Sequence, residues 1–468
     1  MKFPQRLYAD LKQTEFSPVF IGAIMLAFAA FQNMYPLVYP DTGSYILTGL
    51  ESRVPVDRPL LYGLFLRHTS MRATMWFALF AQALIVSTIL FAFVKSFFSN
   101  GRYRTIYYLL LAPLVTCTAL SIKTSTLIPD AFTPLLILCF FILKNSNTLL
   151  LHRIWFASLM IFCLGVHQSH LMILIGTYIL YAIYMLFTAG IKPLLHQTLK
   201  LKFMIPIFII SFFLTPVINV IYSGKFFWSK SGGIFMMGRL ADNGLLQTYL
   251  QENCDHENLQ LCQYKDKIPG DFLWDSSSPL HQMGGWDNPS PEYDHITHQI
   301  ITTPKYLVQF SFKSLSASLV QFFSYQITVR AENAPMGFDS PPHYALRHVF
   351  KHEIGMYTSA NQNIGRLDYT AIDQRQSWFL AITLVLFALV QLSSLRHHIA
   401  MFNKVLLLVT LFALSNAIVC GTLSIPNPRY QTRVFWLIPL VMLMALVYLL
   451  VKHRKEIVSY LRGHNTIH

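Results

Sequence analysis

The chain has 468 residues and a net charge of +14, yet 54% of its residues are hydrophobic and only 12% are charged. The charged share is about half that of an average soluble domain. With a mean hydropathy of +0.44, the composition excludes the soluble multidomain protein that this length would otherwise predict. It predicts an integral membrane protein, in which the positive charge marks one side of the bilayer rather than a nucleic-acid-binding surface.

Ten apolar segments have the length and composition of membrane-spanning helices. They are residues 18–36, 73–96, 105–121, 129–143, 154–168, 171–188, 203–222, 377–395, 404–423 and 434–451. The chain is therefore predicted to be an all-α polytopic membrane protein with about ten transmembrane helices. The first apolar run is too long for a cleavable signal peptide and is expected to act as an uncleaved signal anchor.

The charged residues between these segments predict the orientation of the chain. Six segments carry 17 basic and three acidic residues, whereas the other 19 of the 22 acidic residues lie elsewhere. The basic segments are 1–17, 95–104, 144–153, 189–202, 396–404 and 452–468. Because loops rich in Lys and Arg stay in the cytoplasm, both termini are predicted to be cytoplasmic. A further crossing at 305–325 would invert everything after it, so this stretch is predicted to be an interfacial helix.

This topology divides the chain into three parts. The N-terminal transmembrane module, residues 1–222, includes a first outer loop at 37–72. Residues 223–376 form a large irregular loop region outside the cytoplasm, rich in turn-forming residues. The C-terminal transmembrane module, 377–468, ends in a basic cytoplasmic tail. Two amphipathic stretches of the first outer loop are predicted to lie on the membrane surface: Tyr45–Leu50 and Leu60–Leu66.

Two of the six cysteines, Cys254 and Cys262, lie in the polar outer region. An oxidising compartment favours a disulfide between them, and two free thiols are the alternative. The other four cysteines lie in predicted spans, where they are expected to be packing residues.

Two acidic residues lie at the outer ends of predicted spans. Asp41 follows the first span directly, and Asp130 immediately precedes the fourth. Each can be an ordinary helix cap, which is a common use of Asp. An acid at the outer membrane face can also remain hydrated while it reaches a lipid-linked head group, as a general base for sugar transfer must. Their common depth in the membrane favours a functional pair.

This arrangement resembles the polyprenyl-phosphate-sugar-dependent glycosyltransferases of the GT-C superfamily, such as protein O-mannosyltransferases and the aminoarabinose transferase of lipid A. In that family an acid and then a Tyr follow the first span, an Arg/Pro-Pro-Leu-Tyr-like stretch comes next, and a second acid precedes the fourth span. An Arg-Tyr element often lies near the C-terminus. The matching residues are Asp41 with Tyr45, Arg58-Pro59-Leu60-Leu61-Tyr62, Pro129-Asp130 and Pro428-Arg429-Tyr430. The chain departs from the family at Thr42, where an Asp-Glu pair is common, and in its low number of spans.

The resemblance implies roles for these residues. Asp41 is expected to be the catalytic base that deprotonates the acceptor, and Asp130 to orient the donor or to hold a divalent cation. Tyr45 is expected to contact the substrate. The donor phosphate needs basic partners at the membrane face, and arginine suits bidentate phosphate contacts. The candidates are Arg58, Lys123, Arg239, Arg429 and Arg433. Interfacial snorkelling or ordinary salt bridges are the alternatives for each.

His167 and His170 interrupt the apolar sequence between the fifth and sixth spans. Two histidines three residues apart can bind a metal ion, but no acid or cysteine lies beside them, so no metal site is predicted here. They are expected to line the substrate cavity or to mark a turn between two spans. Two buried amides, Asn219 and Asn416, are either functional polar residues or helix–helix hydrogen-bonding groups.

The resemblance predicts an inverting glycosyltransferase in the bacterial inner membrane. It would move a sugar from a polyprenyl-phosphate donor to a glycan, lipid or protein acceptor at the outer face, without a nucleic-acid partner. One alternative is a transporter or flippase for a lipid-linked glycan, which should show Gly- or Pro-broken helices in related halves of the chain. The other is a non-catalytic membrane assembly protein. A shared cavity for Asp41, Asp130 and basic residues would favour the enzyme.

The predicted topology can be tested with reporter fusions. Alkaline phosphatase fused after Tyr293 is expected to be active, because residues 223–376 are placed outside the cytoplasm. A fusion after Arg153, in a basic segment, is the matched control and should be inactive. A stable but inactive fusion at Tyr293 would contradict the topology.

Overall fold

The computed structural model describes residues 16–98, 101–144, 149–327, 337–338 and 340–452, and its regular structure within these ranges is helical. The only pairing of extended backbone there is an isolated bridge between Leu37 and Thr126. The prediction of an all-α fold is thus confirmed for this part of the chain. The N-terminal residues 1–15 and the basic tail from residue 453, both predicted to be cytoplasmic, lie outside the described residues.

The N-terminal part extends to residue 223 and contains most of the helices. They are α1 (Phe16–Leu26), α2 (Phe28–Asn33), α3 (Pro40–Glu51), α4 (Leu61–Ser70), α5 (Met75–Phe97), α6 (Tyr103–Cys117), α7 (Leu120–Ser125), α8 (Leu135–Lys144), α9 (Leu150–Gly165), α10 (Gln168–Ala189), α11 (Ile191–Lys200) and α12 (Met204–Ser223). A 3₁₀ turn at Pro129–Phe132 separates α7 from α8. Of the amphipathic stretches predicted in the first outer loop, Tyr45–Leu50 lies within α3, and Leu60–Leu66 begins at the N-cap residue of α4 and continues into that helix.

The rest of the chain forms a central region, residues 224–368, and a C-terminal part. The central helices are α13 (Gly232–Asp242), α14 (Leu245–Asn253), α15 (Pro279–Gln282), α16 (Glu292–Thr302), α17 (Pro304–Phe323), α18 (Pro341–Val349) and α19 (Ile354–Thr358), with 3₁₀ turns at Gln260–Tyr264 and Lys351–Glu353. The C-terminal helices are α20 (Tyr369–Leu392), α21 (Ala400–Leu423), α22 (Pro428–Phe435) and α23 (Leu437–Lys452), with a 3₁₀ turn at Ser394–Ile399 before α21.

Six helical segments in the described ranges are long and apolar enough to cross a membrane. They are Met75–Phe97, Gln168–Ala189, Met204–Ser223, Tyr369–Leu392, Ser394–Leu423 and Pro428–Lys452. Each of the ten predicted spans contains helix, but four of them are shorter or broken: 18–36, 105–121, 129–143 and 154–168. Proline explains one break, because Pro129 and Pro134 bracket a 3₁₀ turn and α8 begins only after Pro134.

Large apolar side chains on three of these segments point away from the protein. Phe187 on α10 and Leu392 on α20 are each 85% exposed, and Ile221 on α12 is 69% exposed. An exposed apolar face of this extent is unfavourable in water but not in lipid. The helical surface therefore agrees with a membrane protein, as the composition predicts.

The central region has two halves that pack differently. The first half has its own apolar core around Leu246, Phe272 and Tyr293, and a disulfide joins Cys254 to Cys262, whose Cα atoms are 5.6 Å apart. The alternative of two free thiols is therefore excluded. Helix α17, which covers the predicted interfacial stretch 305–325, follows this half and packs along α21.

The second half of the central region holds the first outer loop in place. Helix α18 packs against α3, where the backbone of Pro341 lies so close to Gly43 that a side chain there would collide with it. Buried Glu353 accepts hydrogen bonds from Tyr35 (2.7 Å) and from Thr74, at the two ends of the loop. The loop that carries Asp41 is consequently packed on both sides.

Helices α3 and α4 approach each other through two glycines. A Cβ atom added at Gly49 would lie 2.1 Å from the carbonyl oxygen of Gly63. Neither backbone can move away without shifting its whole helix. The close contact fixes α3, and with it the position of Asp41, against α4.

Substituting Gly49 with alanine is expected to destabilise the protein by about 1–3 kcal/mol, the usual cost of overpacking. The matched control is Gly355→Ala, since a Cβ atom there meets no heavy atom within 4 Å. Thermal unfolding of both variants in one detergent measures the difference. Equal unfolding midpoints would contradict the proposed contact.

Candidate functional site

Asp41 is the second residue of α3 and does not cap that helix. The Thr42 hydroxyl instead accepts the hydrogen bond from the backbone N–H of Tyr39, the N-cap residue (3.0 Å). The Asp41 carboxylate turns to two arginines: Oδ1 lies 3.3 Å from Arg58 and Oδ2 lies 3.1 Å from Arg429. The helix-cap alternative for Asp41 is therefore wrong.

Asp130 lies in the 3₁₀ turn before α8, and its side chain is almost fully buried. Its Oδ1 accepts a hydrogen bond from Arg433 (2.9 Å), and its Oδ2 lies 3.1 Å from the Arg429 guanidinium. The N-cap residue of this turn is Ile128, so Asp130 is not a cap either. Both oxygens thus face arginines, but only Oδ1 accepts a hydrogen bond, because the geometry at Oδ2 leaves an ion pair without one.

Arg429 connects the two acids. It contacts both Asp41 and Asp130, although Asp41 is 388 residues away in sequence. Its guanidinium also stacks over the ring of Tyr39, 4.2 Å from the centroid. Residues four apart share one face of a helix, so α22 presents Arg429 and Arg433 to the same acid. The structure thus places both predicted acids and the predicted C-terminal arginines in one ion-pair cluster.

Arg433 is the buried end of this cluster. Besides Asp130, it donates to the side-chain oxygen of Asn416 on α21 (2.8 Å). The Asn416 amide in turn donates to the backbone of Tyr430 and to Gln431. Asn416 therefore orients the arginine, and this role combines the two alternatives considered for it, a helix–helix hydrogen bond and a functional polar residue. Asn219 is remote from this network and donates to the backbone of Phe227.

Arg58 and its neighbours form the other end of the cluster. The Arg58 guanidinium is ion-paired with Asp57 as well as with Asp41, and it lies over the ring of Tyr45, 4.9 Å from the centroid. Tyr45 is buried and packs edge-to-face on Tyr62. The Tyr45 ring therefore packs against the Arg58 guanidinium. The resemblance implies a different role, direct contact with the substrate. Asp57 belongs to the cluster, although no functional role was predicted for it.

Lys123 and His167 lie near the cluster. Lys123 is buried and acts electrostatically on Asp130. His167 is also within electrostatic range of Asp130, and its Nδ1 accepts a hydrogen bond from the backbone N–H of Ser169 at the start of α10 (3.2 Å). His167 thus marks the turn between two helices, one of the predicted alternatives, while it lies beside the acids.

Two predicted substrate-binding residues have other roles. Both ring nitrogens of buried His170 are occupied, one donating to the Cys163 carbonyl (2.5 Å) and the other accepting from Thr133 (2.7 Å). Arg239 lies in the separate core of the central region and pairs with Asp242 at 2.6 Å. His170 therefore stabilises helix packing, and Arg239 is not part of the cluster. Their assignment to substrate binding is corrected accordingly.

Within the cluster, exposure is highest at Asp41 and decreases towards Arg433. The Asp41 side chain is 26% exposed, whereas Arg429 is 8%, Asp130 1% and Arg433 0% exposed. Burial raises the pKa of Asp41, but the charges of Arg58 and Arg429 outweigh this effect and hold the pKa below its ordinary value. Asp41 is therefore a carboxylate at neutral pH and, with Arg58 beside it, forms the accessible end of the cluster.

The ion-paired charges of the cluster balance. Three arginines, Arg58, Arg429 and Arg433, face three carboxylates, Asp41, Asp57 and Asp130. Arginine guanidiniums suit bidentate contacts with a phosphate group. Within the described ranges no three His, Cys, Asp or Glu side chains are close enough to hold a metal ion.

Replacing Asp130 with asparagine is expected to cost about 3–5 kcal/mol of stability, because it leaves buried Arg433 without a carboxylate and Arg429 with Asp41 alone. The control is Glu51→Gln, which breaks the exposed pair with Arg53 (3.4 Å) and should cost at most about 1 kcal/mol. Unfolding in a single detergent compares the two. Similar small losses for both variants would show that the cluster does not hold the helices together.

Comparison with known proteins gives no relative from which a function can be transferred. No protein-family model, no curated protein and no solved structure matches the chain. The site has to be interpreted from its own geometry.

Proposed function

We propose that the chain is a membrane glycosyltransferase of the GT-C type in the bacterial inner membrane, with both termini cytoplasmic. It transfers a sugar from a polyprenyl-phosphate donor to a glycan, lipid or protein acceptor at the outer face. One observation carries the proposal: Arg429 contacts Asp41 and Asp130 at once. Two acids from the N-terminal part thus share one ion-pair cluster with arginines from both ends of the chain, which supports a common role in one reaction.

Arg58 and Arg429 bind the donor phosphate at the accessible end of the cluster. The anomeric carbon of the sugar then faces the acceptor. The acceptor oxygen attacks this carbon while the bond from the carbon to the phosphate oxygen breaks, and polyprenyl phosphate leaves with the electron pair. Arginines near the phosphate stabilise the charge that develops on it. A single displacement of this kind inverts the anomeric configuration.

Asp41 accepts the proton that the acceptor hydroxyl loses. In the unliganded cluster two arginines hold the pKa of Asp41 low, which makes the carboxylate a weak base. A bound phosphate competes for the same guanidiniums, so their effect on Asp41 weakens and its pKa rises. Binding of the donor phosphate therefore makes Asp41 a stronger base. Asp130, whose oxygens are both engaged and buried, positions Arg429 instead of reacting.

Asp41→Asn is expected to lower sugar transfer by about 10²–10⁴-fold, because it removes the general base while it preserves the size of the side chain. The measurement is incorporation of label from the lipid-linked sugar pool of membranes matched for protein level.

The control for this variant is Asp368→Asn. Asp368 is a true N-cap, since its carboxylate accepts hydrogen bonds from the backbone N–H groups of Thr370 and Ala371, and Asn and Asp cap helices equally well. This control should retain transfer. Near-wild-type transfer by Asp41→Asn would refute the assignment of the base.

A further inference from the structure

A cavity adjoins the ion-pair cluster without including Asp41, Asp130, Arg429 or Arg433 in its wall. It has a volume of about 500 Å³ and lies between the first outer loop, the end of α12 and the central region. Its wall includes Ser44 and Thr48 on α3 and Trp274 and Trp286 of the central region. The volume is within the range of small-molecule sites.

Helix geometry connects this cavity to Asp41. Ser44 and Thr48 follow Asp41 by three and seven residues, so all three lie on one face of α3. Asp57 also lines the cavity, and its carboxylate is paired with Arg58, which contacts Asp41. The cavity therefore opens beside the accessible end of the cluster. The acceptor of the transferred sugar must lie at this position.

The cavity wall is both aromatic and charged. Trp274 and Trp286 stack on each other, with ring centroids 5.2 Å apart and an interplanar angle of 30°, and Trp274 is 57% exposed. The charged residues are balanced, with Asp57 and Asp287 opposite in sign to Arg53 and Lys230. An exposed indole face next to carboxylates offers the C–H face of a sugar ring an apolar partner and offers its hydroxyls acceptors.

This chemistry selects among the possible acceptors. Four charged groups in the wall disfavour an acyl chain, because they would lose their hydration without compensation. The balanced charge gives no preference for a phosphate or another simple anion. The volume accommodates a short saccharide but not a folded protein surface.

We propose that this cavity is the acceptor site and that it binds the end of a glycan, with the Trp274–Trp286 pair stacked against a sugar ring. The inference rests on the proposed transferase function and narrows its acceptor to a saccharide. The hydroxyl of the bound sugar projects past Ser44 towards Asp41, which accepts its proton.

The test uses the purified full-length chain in detergent. The probe is the delipidated glycan fraction from the envelope of cells that naturally produce the protein. Binding is measured by equilibrium dialysis of the radiolabelled glycan fraction, because the double variant removes the tryptophans whose fluorescence would report binding. The wild type should bind, and the double variant Trp274→Leu/Trp286→Leu should bind at least about 10-fold more weakly, as the loss of one to two aromatic contacts predicts. Trp378→Leu is the control, because Trp378 is 70% exposed on α20 and does not line the cavity.

Parallel arms separate this inference from the proposed function. Asp41→Asn should bind the glycan fraction as the wild type does while transfer is lost. In transfer assays the double tryptophan variant should raise the KM for the glycan and leave kcat within about twofold. If the wild type does not bind the fraction, or the double variant binds it unchanged, the acceptor site is refuted even where Asp41→Asn abolishes transfer. If the tryptophans control binding but Asp41→Asn retains transfer, the cavity is a glycan site and the transferase mechanism is refuted.

Discussion

The bridge that Arg429 makes between Asp41 and Asp130 is the interaction on which the rest of the structure depends. It joins the first outer loop, the turn before α8 and the start of α22 in one continuous set of ion pairs. A charge in a largely dehydrated position is tolerated only where partners surround it. The three segments must therefore meet with the correct geometry. The same requirement makes the cluster asymmetric, with fully buried ion pairs at Asp130 and a partly exposed carboxylate at Asp41.

The sequence predicted the helices better than it predicted their ends. Runs of apolar residues mark helix in every predicted segment, because burial in lipid or in a helical core selects the same residue types. Hydropathy averages over a window, however, and does not register where backbone hydrogen bonding is interrupted. The turn at Ala27 between α1 and α2 has no compositional signature. The helix break after Pro129 does have a compositional signature, because Pro129 and Pro134 are only five residues apart.

The site could be predicted only in part, for a physical reason. Asp41, Asp130, Arg58 and Arg429 were identified through a family resemblance, but nothing in the sequence specifies that one arginine contacts both acids. Ion pairs between distant segments depend on tertiary packing. Local pairs do leave a signal: Arg239 and Asp242 are three residues apart on one helix, which favours an ordinary intrahelical pair. His170 was ambiguous because its partners, a carbonyl oxygen and a threonine, leave no pattern in the sequence.

The hydrogen bonds of Glu353 have a consequence for motion. Tyr35 and Thr74 lie at the two ends of a segment of roughly forty residues, and one carboxylate holds both. Closing a segment of this length costs roughly 3 kcal/mol of chain entropy. Once Glu353 holds both ends, the ion pairs of Asp41 do not have to offset this cost. Helices α3, α4 and α18 thus pack as one unit around this carboxylate. Release of the first outer loop from this position would have to break hydrogen bonds at both of its ends.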